Sequence, residues 1–236
     1  MFQLQPSRPT LHFPKPTQLP AFSPNKKMTT KNETHDHLTS SKTIPLFIVG
    51  GPAGCGKSTI GQAIAGATQF PFIEGDELHP PQNIAKMSAG RPLVDADRWD
   101  WLDKIISTSY DLEQRKTPEG IVITCSSLKK SYRNRMRKRV DEARAKESRL
   151  REYFIFCNLS QDESSRRVRD RPGHYMKAGM VASQFADLEV PDPKDEARVY
   201  VLNVERSKAE VNNDAIEYIK SCIARNSEGK EEYGPE

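Results

Sequence analysis

No apolar run in this 236-residue chain approaches the length of a bilayer span, so an integral membrane protein is not expected. Cysteine is scarce. The four present, Cys55, Cys125, Cys157 and Cys222, form no CxxC pair and join no histidine cluster at metal-ligand spacing. That excludes a disulfide scaffold and a zinc module, and free thiols in a reducing, cytoplasmic setting are expected. Net charge is also small, +4 from 36 basic and 32 acidic residues, and does not by itself imply a nucleic-acid partner. The basic residues are locally concentrated: "KKSYRNRMRKR", residues 129–139, holds seven Lys or Arg and no acid. The acids of "VDEARAKE" follow at helical spacing, so a solvated helix face is favoured over an RNA surface.

Hydrophobic periodicity is missing from the first 43 residues, and seven prolines fall before residue 46. This extension is expected to be disordered, as is the polar tail 225–236. Residues 1–32 carry Arg8, Lys15, Lys26, Lys27 and Lys31 and no acid, the charge pattern of an organelle leader. Their proline density opposes the amphipathic helix a leader needs, and Met28 is an alternative start. One domain over 44–224 remains. Short apolar runs at 44–50, 70–75, 120–126, 152–159 and 198–204 read as buried strands. Helix-length segments lie at about 57–68, 95–115, 131–148, 161–170, 177–188 and 207–224. The alternation predicts an α/β fold of three layers, a central parallel sheet of about five strands flanked by helices, with ligands at the carboxyl ends of the strands.

The first strand runs into "GGPAGCGKST", where Gly51, Gly56, Lys57 and Ser58 fit G-x-x-x-x-G-K-[ST]. In such a loop, backbone N–H groups turn toward the β- and γ-phosphates, and the following helix adds its positive end. Lys57 reaches phosphate oxygens and Ser58 offers its hydroxyl to Mg²⁺. A loop of this kind specifies a nucleotide, not a reaction. No guanine-selecting NKxD is present, and the third strand, "GIVITCSS", ends without a carboxylate to order a metal. The nearest such carboxylate is Asp76, in "GDELHPPQNIAKMSAG" after the second strand. Placed there, it would orient a metal's water shell or accept the proton of an attacking hydroxyl; capping the next helix is the plainer alternative. His79 suits a polyol hydroxyl or merely caps a turn, and Pro80 and Pro81 stiffen its loop.

The blocks "GGPAGCGKSTIG", "GDELHPPQNIAKMSAGRPLVDADRWDWL", "TCSSLKKSYRNRMR", "RPGHYMKAGMVASQFADLEVPDP" and "DEARVYVLNV" resemble, in order and spacing, the gluconokinase family of P-loop small-molecule kinases. The resemblance spans about residues 44–204, and its second block is the most specific. It implies transfer of the γ-phosphate of ATP, with Mg²⁺, to the terminal hydroxyl of D-gluconate, giving 6-phospho-D-gluconate for the pentose phosphate pathway. A kinase for another small acid or polyol, such as shikimate, and a non-catalytic nucleotide- or RNA-binding regulator are the alternatives. The family's loop residues fall on Gly51, Gly54, Cys55, Gly56, Lys57, Ser58 and Thr59, with Ser58 and Asp76 toward the metal. Asp76, His79, Lys86, Arg98, Lys129 and Arg133 occupy motif positions suited to an acidic polyol; which of them meets the carboxylate stays open. "RRVRDRPGHYM" resembles the family's lid, about 166–177, with Arg167 and Arg171 as catalytic arginines beside Lys57 and Asp76. Trp99 and Trp101 read as core. A homodimer is also implied. Glu74 in place of an aspartate, Cys55 in place of a serine, and "WDWL" without its proline depart from the family pattern.

Overall fold

The computed structural model describes residues 42–170 and 178–227, with side chains from Met180 onward in the second stretch. The first strand, β1 (Ile44–Gly50), is buried at every position. It leads through the phosphate loop into α1 (Lys57–Thr68). Next come β2 (Phe72–Ile73), a 3-10 turn (Gly75–Leu78), α2 (Pro81–Ser88), α3 (Asp95–Lys116) and β3 (Ile121–Thr124). After β3 follow α4 (Lys130–Arg144), β4 (Leu150–Asn158), α5 (Gln161–Arg169), α6 (Ala178–Ala186), β5 (Val199–Asn203) and α7 (Lys208–Ser227).

All strands are parallel, in the order β2-β3-β1-β4-β5, with Leu46 beside Ile121 and Ile48 beside Phe154. Because side chains alternate along a strand, β1 feeds two cores at once. Phe47 and Val49 pack with Ile60 and Ile64 of α1 and with Val211, Ala215 and Ile219 of α7. Leu46 and Ile48 pack on the other face with Trp101, Leu102 and Ile105 of α3 and Tyr132 and Met136 of α4. Each fully buried aliphatic or aromatic side chain contributes about 1.5–3 kcal/mol relative to exposure, so the sheet centre dominates stability. The expected three-layer α/β/α architecture is present.

The second strand is much shorter than the 70–75 expected. Beyond Ile73 the chain leaves the ladder and is held by side chains: Gly75 N–H donates to Thr124 Oγ1 (3.0 Å), and Thr124 in turn donates to the Glu74 carboxylate. The indole of Trp101 donates to the Gly75 carbonyl at 2.7 Å. A Cβ on Gly75 would lie 1.9 Å from the Thr124 carbonyl oxygen, so only glycine permits this approach. The short α2 was not expected, since it buries only Asn83 and has no apolar stripe. Its terminal signals were nonetheless in the sequence, Pro81 at the first helical position and Gly90 with φ 72° just past its end.

Candidate active site

The phosphate loop closes the carboxyl end of β1 with glycines at left-handed angles, Gly51 (φ 126°), Gly54 (φ 73°) and Gly56 (φ 93°). At Gly51 a Cβ would come within 2.5 Å of the Cys157 carbonyl, so the loop lies tightly on the end of β4. Gly56 precedes α1 with no side-chain cap, and the first turn of that helix carries no acid. Its leading N–H groups are therefore open to an anion. The Lys57 ammonium lies back on the loop, donating to the carbonyls of Gly51 (3.1 Å) and Pro52 (3.0 Å), with Cys55 Sγ at 3.9 Å. Burial works against its charge, but Cys55, Asp76, Cys157 and Glu74 outweigh it and raise the pKa above that of an ordinary lysine. Burial pushes the Cys55 thiol up, yet the hydrogen bond from Cys157 and the charges of Lys57 and Arg167 bring it down to about 6.

A cavity of about 460 Å³ sits over the loop, lined by Gly54, Lys57, Ser58, Thr59, Asp76 and Arg167 among others. Beside it a slot of about 320 Å³ lies between the loop, Arg167 and the apolar Val204 and Val211. Arg167 is held by Glu163 (2.6 Å) and the Val204 carbonyl (2.8 Å), which fixes its guanidinium at the junction of the two spaces. Arg166 is half exposed and pairs with Glu163 and Asp170. Arg171 lies outside the described residues. Ser58 and Asp76 put only oxygen donors on the large cavity, the chemistry a hard divalent cation takes when phosphates and water complete its shell. Among the described residues no group of three or more His, Cys, Asp or Glu could hold a metal without such help.

A narrower space of about 50 Å³ opens from the same point and shares Ala53, Lys57 and Asp76 with the large cavity. Its other walls include His79, Arg98, Ser126 and Gln184. His79 is buried, stacked on Trp101 at 4.0 Å, and burial lowers its pKa to about 4 despite Asp76, with Arg98 adding to the effect. It is therefore neutral at pH 7. Asn83 Nδ2 donates to the Asp97 carbonyl (2.6 Å) and also faces His79 Nδ1 (3.4 Å). His79 Nδ1 is thus the acceptor and Nε2 keeps the proton as a donor.

Four other basic residues were expected at the substrate, and the structure separates them. Lys86 is bonded to Asp97 at 2.5 Å, and Lys129 to Asp95 (2.7 Å) and Asp187 (3.0 Å), and neither lines the narrow space. Arg133 is fully buried, its guanidinium gripping Glu196 in a bidentate manner (2.6 and 2.9 Å) and donating to the carbonyls of Ser127 and Leu128. It braces the β3–α4 loop and lines none of the three spaces around the phosphate loop. Arg98 alone of the four lines the narrow space. It is only 7% exposed, its one hydrogen bond among the described residues is a long one to the Leu93 carbonyl (3.4 Å), and its Nε is buried without a partner. Five of the seven basic residues of the run 129–139, Lys129, Arg133, Arg135, Arg137 and Arg139, pair with carboxylates of the chain itself. The residues that sequence reasoning missed are Ser126, Met180, Ser183 and Gln184 on the narrow space and Val204 and Asn212 on the slot. "VASQF" sat in a quoted block, but nothing local showed that its helix returns to the loop.

No family model matches the chain. It is 39% identical over 183 residues to a probable gluconokinase of Schizosaccharomyces pombe, covering 78% of this chain and 92% of the relative. It is 41% identical over 157 residues to a gluconokinase of Gluconobacter oxydans, covering 66% and 82%. The crystal structure of a gluconokinase from Sinorhizobium meliloti 1021 superposes with a TM-score of 0.66 at 35% identity, covering 80% of this chain and 99% of that one.

Proposed function

The chain belongs to the gluconokinase family, and from that premise we propose how its cavities divide the work of phosphorylating D-gluconate with ATP. The activity is ATP-dependent gluconate phosphorylation, and neither a shikimate-type kinase nor a non-catalytic regulator is favoured. The large cavity takes the triphosphate and the slot its base. Lys57, the open N-terminus of α1 and Arg167 carry the negative charge that develops on the transferring phosphoryl group. A divalent ion, Mg²⁺ in this reading, would be held by the Ser58 hydroxyl and the Asp76 carboxylate and would supply positive charge to the transferring phosphoryl group. Asp76, shared by both cavities, receives the proton of the terminal hydroxyl and orients that oxygen toward the phosphate.

The single observation that carries the acceptor site is Arg98. A buried guanidinium whose Nε has no hydrogen-bond partner is costly, and a carboxylate placed against it recovers that cost through charge-assisted hydrogen bonds. Gluconate then lies with its carboxylate on Arg98, a middle hydroxyl at His79 Nε2, and its terminal hydroxyl at Asp76. At about 50 Å³ the space is small, so binding requires Lys57 and Arg98 to swing off the carbonyls they now touch. A substrate site without Lys86, Lys129 or Arg133 is part of this reading. So are a kinase domain over residues 44–224, a homodimer, and a cytoplasmic location, which four free thiols support. Among the described residues no helix is long and apolar enough to cross a membrane.

The test is ADP release from Mg·ATP with D-gluconate, with the neutral polyol D-glucitol, and with no acceptor. Wild-type protein should turn over gluconate at least about a hundredfold faster than glucitol, and Arg98→Met should erase most of that preference. Lys57→Ala should abolish turnover with either, with an unchanged unfolding midpoint. An Arg98→Met enzyme that still prefers gluconate would remove Arg98 from the carboxylate.

A further inference from the structure

The helix α6 carries no assigned chemistry, yet it brings Met180, Ser183 and Gln184 to the wall of the narrow space. Gln184 also reaches the phosphate loop, where its Oε1 accepts the backbone N–H of Ala53 at 2.7 Å. That bond decides how the amide is turned, because an N–H can be met only by the carbonyl oxygen, and the two N–H donors of Nε2 are left over. Among the described residues this is the only hydrogen bond of the Gln184 side chain. Ala53 is also gripped through its carbonyl, which accepts from Ser164 Oγ of α5 at 2.7 Å. The residue so clamped lines both the large cavity and the narrow one.

We propose that Gln184 is a specificity-determining residue for the acceptor, donating from Nε2 to a gluconate hydroxyl while its Oε1 holds the phosphate loop at Ala53. This rests on the narrow space being the gluconate site. The two ends of one planar amide then serve the two substrates, and gluconate binding steadies the loop that receives the triphosphate. A neutral donor suits this position better than a lysine would. It satisfies a hydroxyl without drawing the gluconate carboxylate away from Arg98, and it leaves Lys57 as the only side-chain ammonium lining that space among the described residues.

The experiment compares Gln184→Glu and Gln184→Met with wild type, reading KM for D-gluconate, for the neutral D-glucitol and for ATP, and the unfolding midpoint. Gln184→Glu keeps an acceptor for the Ala53 N–H and loses the donor, so KM should rise about tenfold or more for gluconate and for glucitol alike. ATP KM should stay within about threefold, and the midpoint should not move. Gln184→Met loses both bonds and should raise KM for gluconate and for ATP. If the residue only clamps the loop, the new charge of Gln184→Glu will raise KM for anionic gluconate but leave KM for the neutral D-glucitol as in wild type, and that result overturns the proposal. An equal rise in gluconate and ATP KM for Gln184→Glu overturns it too, by making the role structural. Absence of gluconate turnover in the wild-type protein overturns the acceptor-site reading itself, and is distinguishable from either.

Discussion

His79 shows how one residue ties stability to recognition. Stacked on Trp101 and buried, it holds its proton only below about pH 4, whereas an unfolded chain protonates the same ring near its ordinary value of 6.5. Between those values the unfolded state binds more protons, so stability must fall as pH falls through that window and is fully present above it. Replacing His79 with Gln, which keeps a donor, should flatten that part of the curve. Urea unfolding of both proteins at pH 7 and pH 5 measures it, and parallel losses would place the acid sensitivity elsewhere. The same neutrality keeps Nε2 a fixed donor across physiological pH, which a hydroxyl partner requires. Arg98 and Arg133 make the opposite point about charge. Both are buried arginines in motif blocks, indistinguishable by residue type, and what tells them apart is the Glu196 carboxylate against Arg133 and the unpartnered Nε of Arg98.

At the scale of elements, the turn after β2 is positioned by its contacts with β3 and α3 rather than by its own ladder. Gly75→Ala would drive a Cβ into the Thr124 carbonyl, backbone against backbone, with no flexible side chain to yield. The expected cost is about 1–3 kcal/mol or more by overpacking. Because Asp76 is the next residue, kcat should fall with it; an alanine variant with native kcat and midpoint would show that the turn has slack. The β3–α4 loop depends instead on Arg133. Arg133→Met should leave Glu196 buried with only Arg137, at 3.1 Å, to answer it, lowering stability by about 3 kcal/mol. Gluconate KM measured on the folded enzyme should not change. A raised KM at full stability would return Arg133 to the substrate.

For the whole molecule, a chain beginning at Lys42 should keep wild-type kcat and KM, since the sheet, both cavities and the bond between Thr43 and Asn226 (2.8 Å) all lie within what remains. A loss of activity would give the first 41 residues a part in the enzyme. The sequence by itself determined the fold class, the five strands and all helices but the short α2, and the phosphate loop. Those features rest on local periods and on glycines that only certain backbone angles need, and both are written in neighbouring residues. It also marked Asp76 as a candidate, because a carboxylate at a strand exit can face the crevice, and the structure puts it on the walls of two cavities. What it left open was which of several motif bases are paired with carboxylates and which one lines the narrow space. That depended on counter-ions distant in sequence: Asp97 for Lys86, Asp95 and Asp187 for Lys129, and Glu196 for Arg133. The placement of Gln184 against Ala53, 131 residues apart, was equally invisible. Only the tertiary structure decided these, because a charge is neutralised by whatever packs against it, and packing partners are set by the closure of the whole sheet rather than by any local pattern.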